Sequence, residues 1–447
     1  MTLRRCLTGL RCCVTQPGVT PFVSLILGVL LTGCATSGAA GAALHGDLEN
    51  LRREIASAQA SGALDRTEVI ALAQAVARRE LKSALGDLAV ERVRQVRTCV
   101  RPLQSDLEEL SEGDGAGAAA AMLALVEAGR ADNEALLESY LAAPDPNWRA
   151  VAARAATGPA ESSVRRQLLT DGDLRVRRAA LHATLVSPDP SEFPELVEAA
   201  RLDPDPLVRS LAVQALGQLG GSSAVASLRD LWPRADNATR QAIVSAWAAP
   251  HSLQAGGEAQ LQWVLEQGSG LPAVVAASHL SANPQASAFL VRSITQGPVD
   301  EQRLAIQLVR ESRGPLMEAI AQQLTAASGA SDETRLMAAA RLVRPLAADS
   351  DPARVRLRAL AKDLLIKMAG DRDELSAHQA RAALIAASER AVVPTLRKTL
   401  GSASSAARAQ AAEGLYHFGE YSLAATALGD RVGSVRTNLA CAILSQR

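Results

Sequence analysis

The sequence predicts an all-α fold, a solenoid of stacked helix pairs behind an N-terminal helical segment, and three observations predict it. Ala and Leu supply 88 and 62 of the 447 residues while Phe, Tyr and Trp together supply 11, which favours unbranched helix formers over the residues that stabilise strands. With 48% hydrophobic and 21% charged residues at zero formal net charge, the chain has the apolar material for a core and lacks the composition of disorder. Beyond residue 113, an Asp or Ser is followed four residues later by Arg and then by an Ala-rich apolar stretch, repeatedly.

The first element is residues 1–33. Arg4, Arg5 and Arg11 stand without any acid before an apolar run from Phe22 to Leu31. That run spans about 10 to 13 residues against the roughly 20 a membrane-spanning helix requires, so it reads as the core of a cleaved signal peptide. It ends in Leu31, Thr32, Gly33 and Cys34. This ending resembles the lipobox of bacterial lipoproteins, and the resemblance implies that the Cys34 thiol is diacylated and the chain cut just ahead of it. Acyl chains contributing about 0.8 kcal/mol per buried methylene would then hold the protein on a lipid bilayer. Ala35 is not the Asp that retains such lipoproteins in the inner membrane. The resemblance therefore implies a cell-envelope location, the outer membrane facing the periplasm where there are two membranes. An ordinary secretory signal with a chance Cys is the alternative.

Loss of residues 1–33 removes three Arg and no acid, so the formal charge falls from zero to −3. A weakly acidic exported chain is a poor nucleic-acid binder, and no nucleic-acid partner is expected. Of the six Cys, Cys6, Cys12 and Cys13 leave with the signal and Cys34 is taken by lipid, which leaves Cys99 and Cys441. Two cysteines make no disulfide framework.

Residues 34–43 read as the lipidated Cys and a flexible tether of Ala, Gly, Ser and Thr. Residues 44–113 read as a helical segment. Leu44, Leu48, Leu51 and Ile55 step by four, three and four, and Asp65 with Glu68 resembles a capping box opening a helix with Val69, Leu72 and Val76. Val93, Val96, Val100, Leu103, Leu107 and Leu110 keep heptad spacing across Pro102. Because Pro should break that seam, a packed helical cap on the following part is favoured over a coiled coil.

Residues 114–447 hold the repeat. Asp145 leads to Arg149, Asp173 to Arg177, Asp205 to Arg209, Asp236 to Arg240, Ser331 to Arg335 and Ser404 to Arg408, while Arg303, Arg381 and Arg436 keep the Arg alone. Most intervals lie near 30 residues, and the doubled one between Arg240 and Arg303 hides a unit around Leu271 to Leu280 that has lost its Arg. The longer step from Arg335 to Arg381 is either one unit with a lengthened helix or a truncated extra unit starting at Asp351. In the clearest unit, Asp205 is the N-cap, Pro206 sits at N1, and Gly220 with Gly221 ends the helix ahead of a second one over about 223–232. Such pairs bury their apolar faces only by stacking. This pattern resembles HEAT repeats of the short PBS-lyase-like type, over roughly eleven units. The resemblance implies a right-handed α-solenoid, and helices packing about 8 to 10 Å apart would make a curved rod on the order of 100 Å long. Cys99 and Cys441, near opposite ends of such a rod, are then expected to remain unbonded.

The recurring Arg, at 149, 177, 209, 240, 303, 335, 381, 408 and 436, reads as a structural ladder that pairs with the helix-start Asp or with the adjacent unit. No catalytic, metal or cofactor motif is found. The six His lack ligand spacing, and the Glu374–His378 and Glu413–His417 pairs read as solvated or core contacts. Asp203 to Pro206 reads as a repeat-start turn rather than a calcium loop. Trp148, Trp232, Trp247 and Trp263 either pack or line a ligand surface. The expected function is a non-enzymatic, lipid-anchored scaffold for an unknown envelope protein. The alternatives are a lyase or hydrolase on the same scaffold, marked by an inward cluster of His, acids or Trp, and a self-associating module. The last helix, with Leu439 and Ile443, has no second helix to cover it, so an exposed apolar end that binds a partner or another copy as a homo-oligomer is expected.

Overall fold

The computed structural model describes residues 38–268, 270–280, 282–309, 314–326, 330–344 and 351–446; the signal segment and Cys34 lie outside them. The N-terminal helices are α1 (Ala39–His45), α2 (Leu48–Ala60), α3 (Arg66–Lys82), α4 (Asp87–Val96) and α5 (Gln104–Ser111). Ten helix pairs follow: α6 (Ala116–Glu127) with α7 (Asn133–Tyr140), α8 (Pro146–Ala155) with α9 (Ser162–Leu169), α10 (Leu174–Val186) with α11 (Phe193–Leu202), α12 (Pro206–Leu219) with α13 (Gly221–Leu231), and α14 (Asn237–Trp247) with α15 (Glu258–Gln267). They continue as α16 (Gly270–His279) with α17 (Pro284–Gln296), α18 (Val299–Leu308) with α19 (Pro315–Thr325), α20 (Asp332–Leu342) with α21 (Pro352–Ala369), α22 (Glu374–Ala386) with α23 (Val393–Thr399), and α24 (Ser405–His417) with α25 (Tyr421–Ala425). The last first-type helix is α26 (Gly433–Ser445), and no strand occurs among the described residues. The fold is an α-solenoid. The long step before Arg381 is one unit with a lengthened second helix, α21, and α16 is the unit without its Arg.

Local chemistry sets the helix starts. Asp145, Asp173, Asp205 and Asp236 each accept a bond from a backbone N–H of the first turn, as do Ser331 and Ser404. Asp65 accepts from the Glu68 N–H at 2.9 Å, and Pro102 ends the run of Val93 to Val100 in two short 3-10 turns. The even-numbered helices from α6 to α26 pack side by side in one layer, each touching the next. Their small residues allow it: a Cβ on Gly217 of α12 would lie 2.6 Å from Cα of Ala246 on α14, so the two helices meet backbone to backbone.

The solenoid does not run out as a rod. α26 packs on α3 and α4, and the N-terminal helices also pack on α6, so the layer of first helices closes on itself as a ring. Arg52 Nε of α2 donates to the Gly429 carbonyl at 2.8 Å, and Gln59 Nε2 donates to that of Ser422 at 2.5 Å. Cys99 and Cys441 are joined by a disulfide with their Cα atoms 5.3 Å apart. Four expectations are corrected by this closure. The rod is a ring, the two cysteines are bonded, and residues 44–113 form a keystone between first and last units rather than a cap on one end. The apolar end is not exposed: Leu439 and Ile443 are fully buried. The tether also shortens, because α1 begins at Ala39 and buries Gly41, Ala42 and Ala43. In a closed two-layer ring the layer in continuous contact has the shorter circumference, so the first helices face the lumen and the second helices form the outer wall.

Candidate functional site

At Arg149, Arg177 and Arg408 the Arg ladder joins a unit to the one after it. Arg149 makes a two-pronged pair with Asp171 at 2.9 and 3.1 Å, Arg177 with Asp203 at 2.6 and 3.1 Å, and Arg408 with Asp430 at 2.6 and 2.9 Å. The acid is not the N-cap but stands two residues before the helix-start position. Asp171 and Asp203 thereby accept the N–H of Asp173 and Asp205 as well. In each case the Arg Nη1 also donates to two carbonyls of its own turn, as in Arg177 to Asp171 and Gly172. The guanidinium thus fastens a turn and a neighbour at once. Arg209 keeps a looser pair with Asp236 at 3.6 Å, Arg303 reaches Glu333 at 2.9 Å, and Arg335 turns to Asp332 of its own helix at 3.7 Å. Arg381 bonds Glu374 at 2.6 Å and Gln410 at 2.8 Å, so Glu374 is engaged there rather than with His378.

Arg436, the last rung, crosses the closure. It pairs with Glu80 of α3, which also holds Arg92 at 3.1 Å, and all three are buried. Gly433 leaves room for this cluster: a Cβ there would lie 2.0 Å from Arg92 Nη2, so the guanidinium would have to shift. Burial pulls the Arg92 pKa down, with Glu80 opposing the shift. Outside the ladder, Arg165 of α9 and Glu192 form a fully buried ion pair at 2.5 Å, and burial pushes the Glu192 carboxyl up against the pull of Arg165.

Two recesses interrupt this regular surface. On the lumen side, α22, α24 and α26 frame a groove of about 600 Å³ whose walls include Ile385, Ala382, Ala409, His378, His417 and Glu413. Burial in that apolar wall pushes the Glu413 carboxyl up to about 6. Glu413, His417 and His378 thus line one groove, a grouping across helices that no spacing in the chain announces.

The second recess holds about 610 Å³ between α13, α14, α15 and the start of α16, and is lined by Arg229, Trp232, Pro233, Arg240, Trp263 and Pro272 among others. Trp247 is fully buried and donates Nε1–H to the Val225 carbonyl at 3.3 Å. Trp232 stacks on it at 5.6 Å and meets Trp263 edge-on at 5.6 Å. The Arg229 guanidinium lies 4.7 Å from the Trp263 ring and that of Arg240 lies 5.5 Å from Trp232. Trp148 stands apart, stacked on Tyr140 at 4.4 Å. Sequence reasoning named the tryptophans but missed Arg229; its signal was an Arg three residues before Trp232 at the end of a second helix.

With this geometry in hand, the comparisons with known proteins bear on the architecture. A sequence profile of HEAT repeats matches residues 162–248. No curated protein matches the chain. Among solved structures, Kap121p bound to RanGTP is similar at 14% identity over 89% of this chain and 52% of that one, with a TM-score of 0.32. An engineered protein is similar at 19% identity over 88% and 98% of the two chains, with a TM-score of 0.26. The chain spans about half the length of Kap121p.

Proposed function

We propose that the protein is a non-catalytic, lipid-anchored scaffold of the bacterial cell envelope that presents a closed ring of HEAT-like units to another envelope protein. The observation that carries this reading is the keystone. The same N-terminal helices that follow Cys34 lock the first unit to the last, so the anchor and the ring closure are one device. Only Ala35 to Gly38 separate Cys34 from α1, and at about 3.5 Å per residue the ring then sits within roughly 20 Å of the bilayer. The buried Cys99–Cys441 bond supports export, since such bonds persist in oxidising compartments. Burial of Leu439 and Ile443 removes the face on which self-association rested.

The test is fractionation together with capture. Wild-type protein should sediment with membranes and carry the same crosslinked partner in repeated preparations, and Cys34→Ser should move it to the soluble envelope fraction. Continued sedimentation of Cys34→Ser overturns the anchor, and a wild-type ring that crosslinks to nothing overturns the scaffold.

One observation favours the enzymatic alternative: Glu413, held near a pKa of about 6 beside His417 and His378, has the proton affinity of a general acid. The Ser388 hydroxyl meets His417 Nε2 at 3.3 Å in an exposed contact, but no metal-binding cluster accompanies Glu413 among the described residues, and the scaffold reading is preferred.

A further inference from the structure

At Arg240 the ladder has no acid partner among the described residues, which leaves two arginines facing an aromatic cleft. Arg240 occupies the position at which Arg149, Arg177 and Arg408 grip an acid of the next unit. The next unit, α16, opens after Gln267 and Gly268 with no acid at that position. Among the described residues Arg240 therefore bonds the carbonyls of Trp232 at 3.2 Å and Pro233 at 3.5 Å and no acid. Arg229, exposed on the opposite lip, is steadied by Gln260 at 2.6 Å and by the face of Trp263. Among the described residues no Asp or Glu lines the recess; at its edge Glu301 accepts the Gly270 N–H at 3.2 Å. Three of the four Trp in the chain meet here.

We propose that this cleft binds an acidic peptide segment of the partner protein, its carboxylates pairing with Arg229 and Arg240 and its aliphatic side chains lying on Trp232 and Trp263. The inference rests on the scaffold reading and names the chemistry of its partner. Two guanidiniums without a counter-ion in a chain of net charge −3 from Cys34 onward select an anion locally while the whole surface does not attract polyanions. Arg and Trp together in a recess are the residues that dominate protein interfaces, because a planar cation and a large rigid ring gain contact at low entropic cost. The volume lies in the range that encloses a few side chains, about 300 to 1,000 Å³. The site is preformed, since Trp247 fixes Trp232 from below. A free phosphate would satisfy the arginines but leave both indoles bare.

The test uses the full chain from residue 34 with Cys34→Ser, and reads the emission of the clustered tryptophans. The probe is an acetylated and amidated hexapeptide of two glutamates flanked by leucine and alanine, compared with its glutamine counterpart and with inorganic phosphate. The acidic peptide should change the emission saturably. The glutamine peptide, and the variants Arg240→Gln and Arg229→Gln, should each weaken binding by about tenfold or more, while Arg303→Gln, an exposed rung elsewhere, should leave it unchanged. No saturable change, equal binding of both peptides, or unchanged binding in Arg240→Gln overturns the proposal. Complete displacement by phosphate at equal concentration overturns it in favour of a small-anion site. If wild type and Arg240→Gln crosslink to the same partner equally in membranes, the cleft fails and the scaffold stands; if neither crosslinks to anything, the scaffold fails.

Discussion

The stretch from α8 to α12 and the stretch from α14 to α16 are built from the same repeat, yet they spend their arginines differently. In the first, Arg149 and Arg177 are fully committed: each holds a carboxylate of the next unit and two carbonyls of its own turn. In the second, Arg240 keeps the carbonyls and loses the acid. The difference teaches that one substitution pattern in a repeat, the loss of the acid two residues before the helix start, converts a structural cation into an available one, with the stacked helices on either side still holding the fold. The closure at α26 is a third use of the same position, with Arg436 reaching Glu80 across 356 residues of chain.

Breaking the regular stretch should cost the most. Glu192→Ala leaves Arg165 charged and fully buried without its partner, and should destabilise that region by about 3 to 5 kcal/mol, read by urea unfolding with segment-resolved hydrogen exchange. Next, Arg177→Ala should cost about 2 kcal/mol, because it removes a two-pronged charged contact to an acid that is itself buried. Arg240→Ala should cost well under about 1 kcal/mol, having only two long bonds to carbonyls to lose. Equal costs for the two would erase the comparison.

Glu413→Gln sharpens it from the opposite side. A carboxyl raised from 4.5 to about 6 on folding binds its proton more tightly in the native state, so native stability falls as pH rises through about 4.5 to 6. The variant should remove that slope and stabilise the protein by up to about 2 kcal/mol at pH 7, with no gain at pH 4. A variant that is neutral at both values would show that Glu413 is not strained by its groove.

The smallest effect separates the two stretches by acid. Contacts with Arg149 and Arg178 respectively hold Asp171 and Asp205 below the ordinary carboxylate value, and Arg175 holds Asp173 at about 2. Groups depressed on folding stabilise the native state above their unfolded value near 3.8 and lose that contribution as pH falls towards 2. Hydrogen exchange on lowering pH from 6 to 3 should therefore loosen α8 to α12 more than α14 to α16. Uniform loosening would deny the ladder its share.

Much of the fold was legible because it is local. N-caps at Asp145, Asp173, Asp205 and Asp236, the stop at Gly220, the break at Pro102 and the hidden unit at Leu271 all follow from residues within one or two turns of each other. What was not legible is what the chain does at long range. Ring closure depends on the small angle between successive units, and no single unit encodes that angle. The one sequence signal for it was the pair Cys99 and Cys441, the two cysteines that follow Cys34 in the chain, which the rod picture argued away. The ladder's true partners, Asp171 and Asp203, were visible as acids two residues before each N-cap but were overshadowed by the N-cap itself. The Trp cluster was named, and its meaning was not, because Arg229 lies on a second helix outside the repeating Arg frame.

Closure of the ring is the claim on which the keystone and the buried α26 face both depend. Peptide mapping of the purified monomer, alkylated before any reduction, tests it directly: the account predicts a single crosslinked fragment joining Cys99 to Cys441, and recovery of both cysteines as separately alkylated thiols would contradict it.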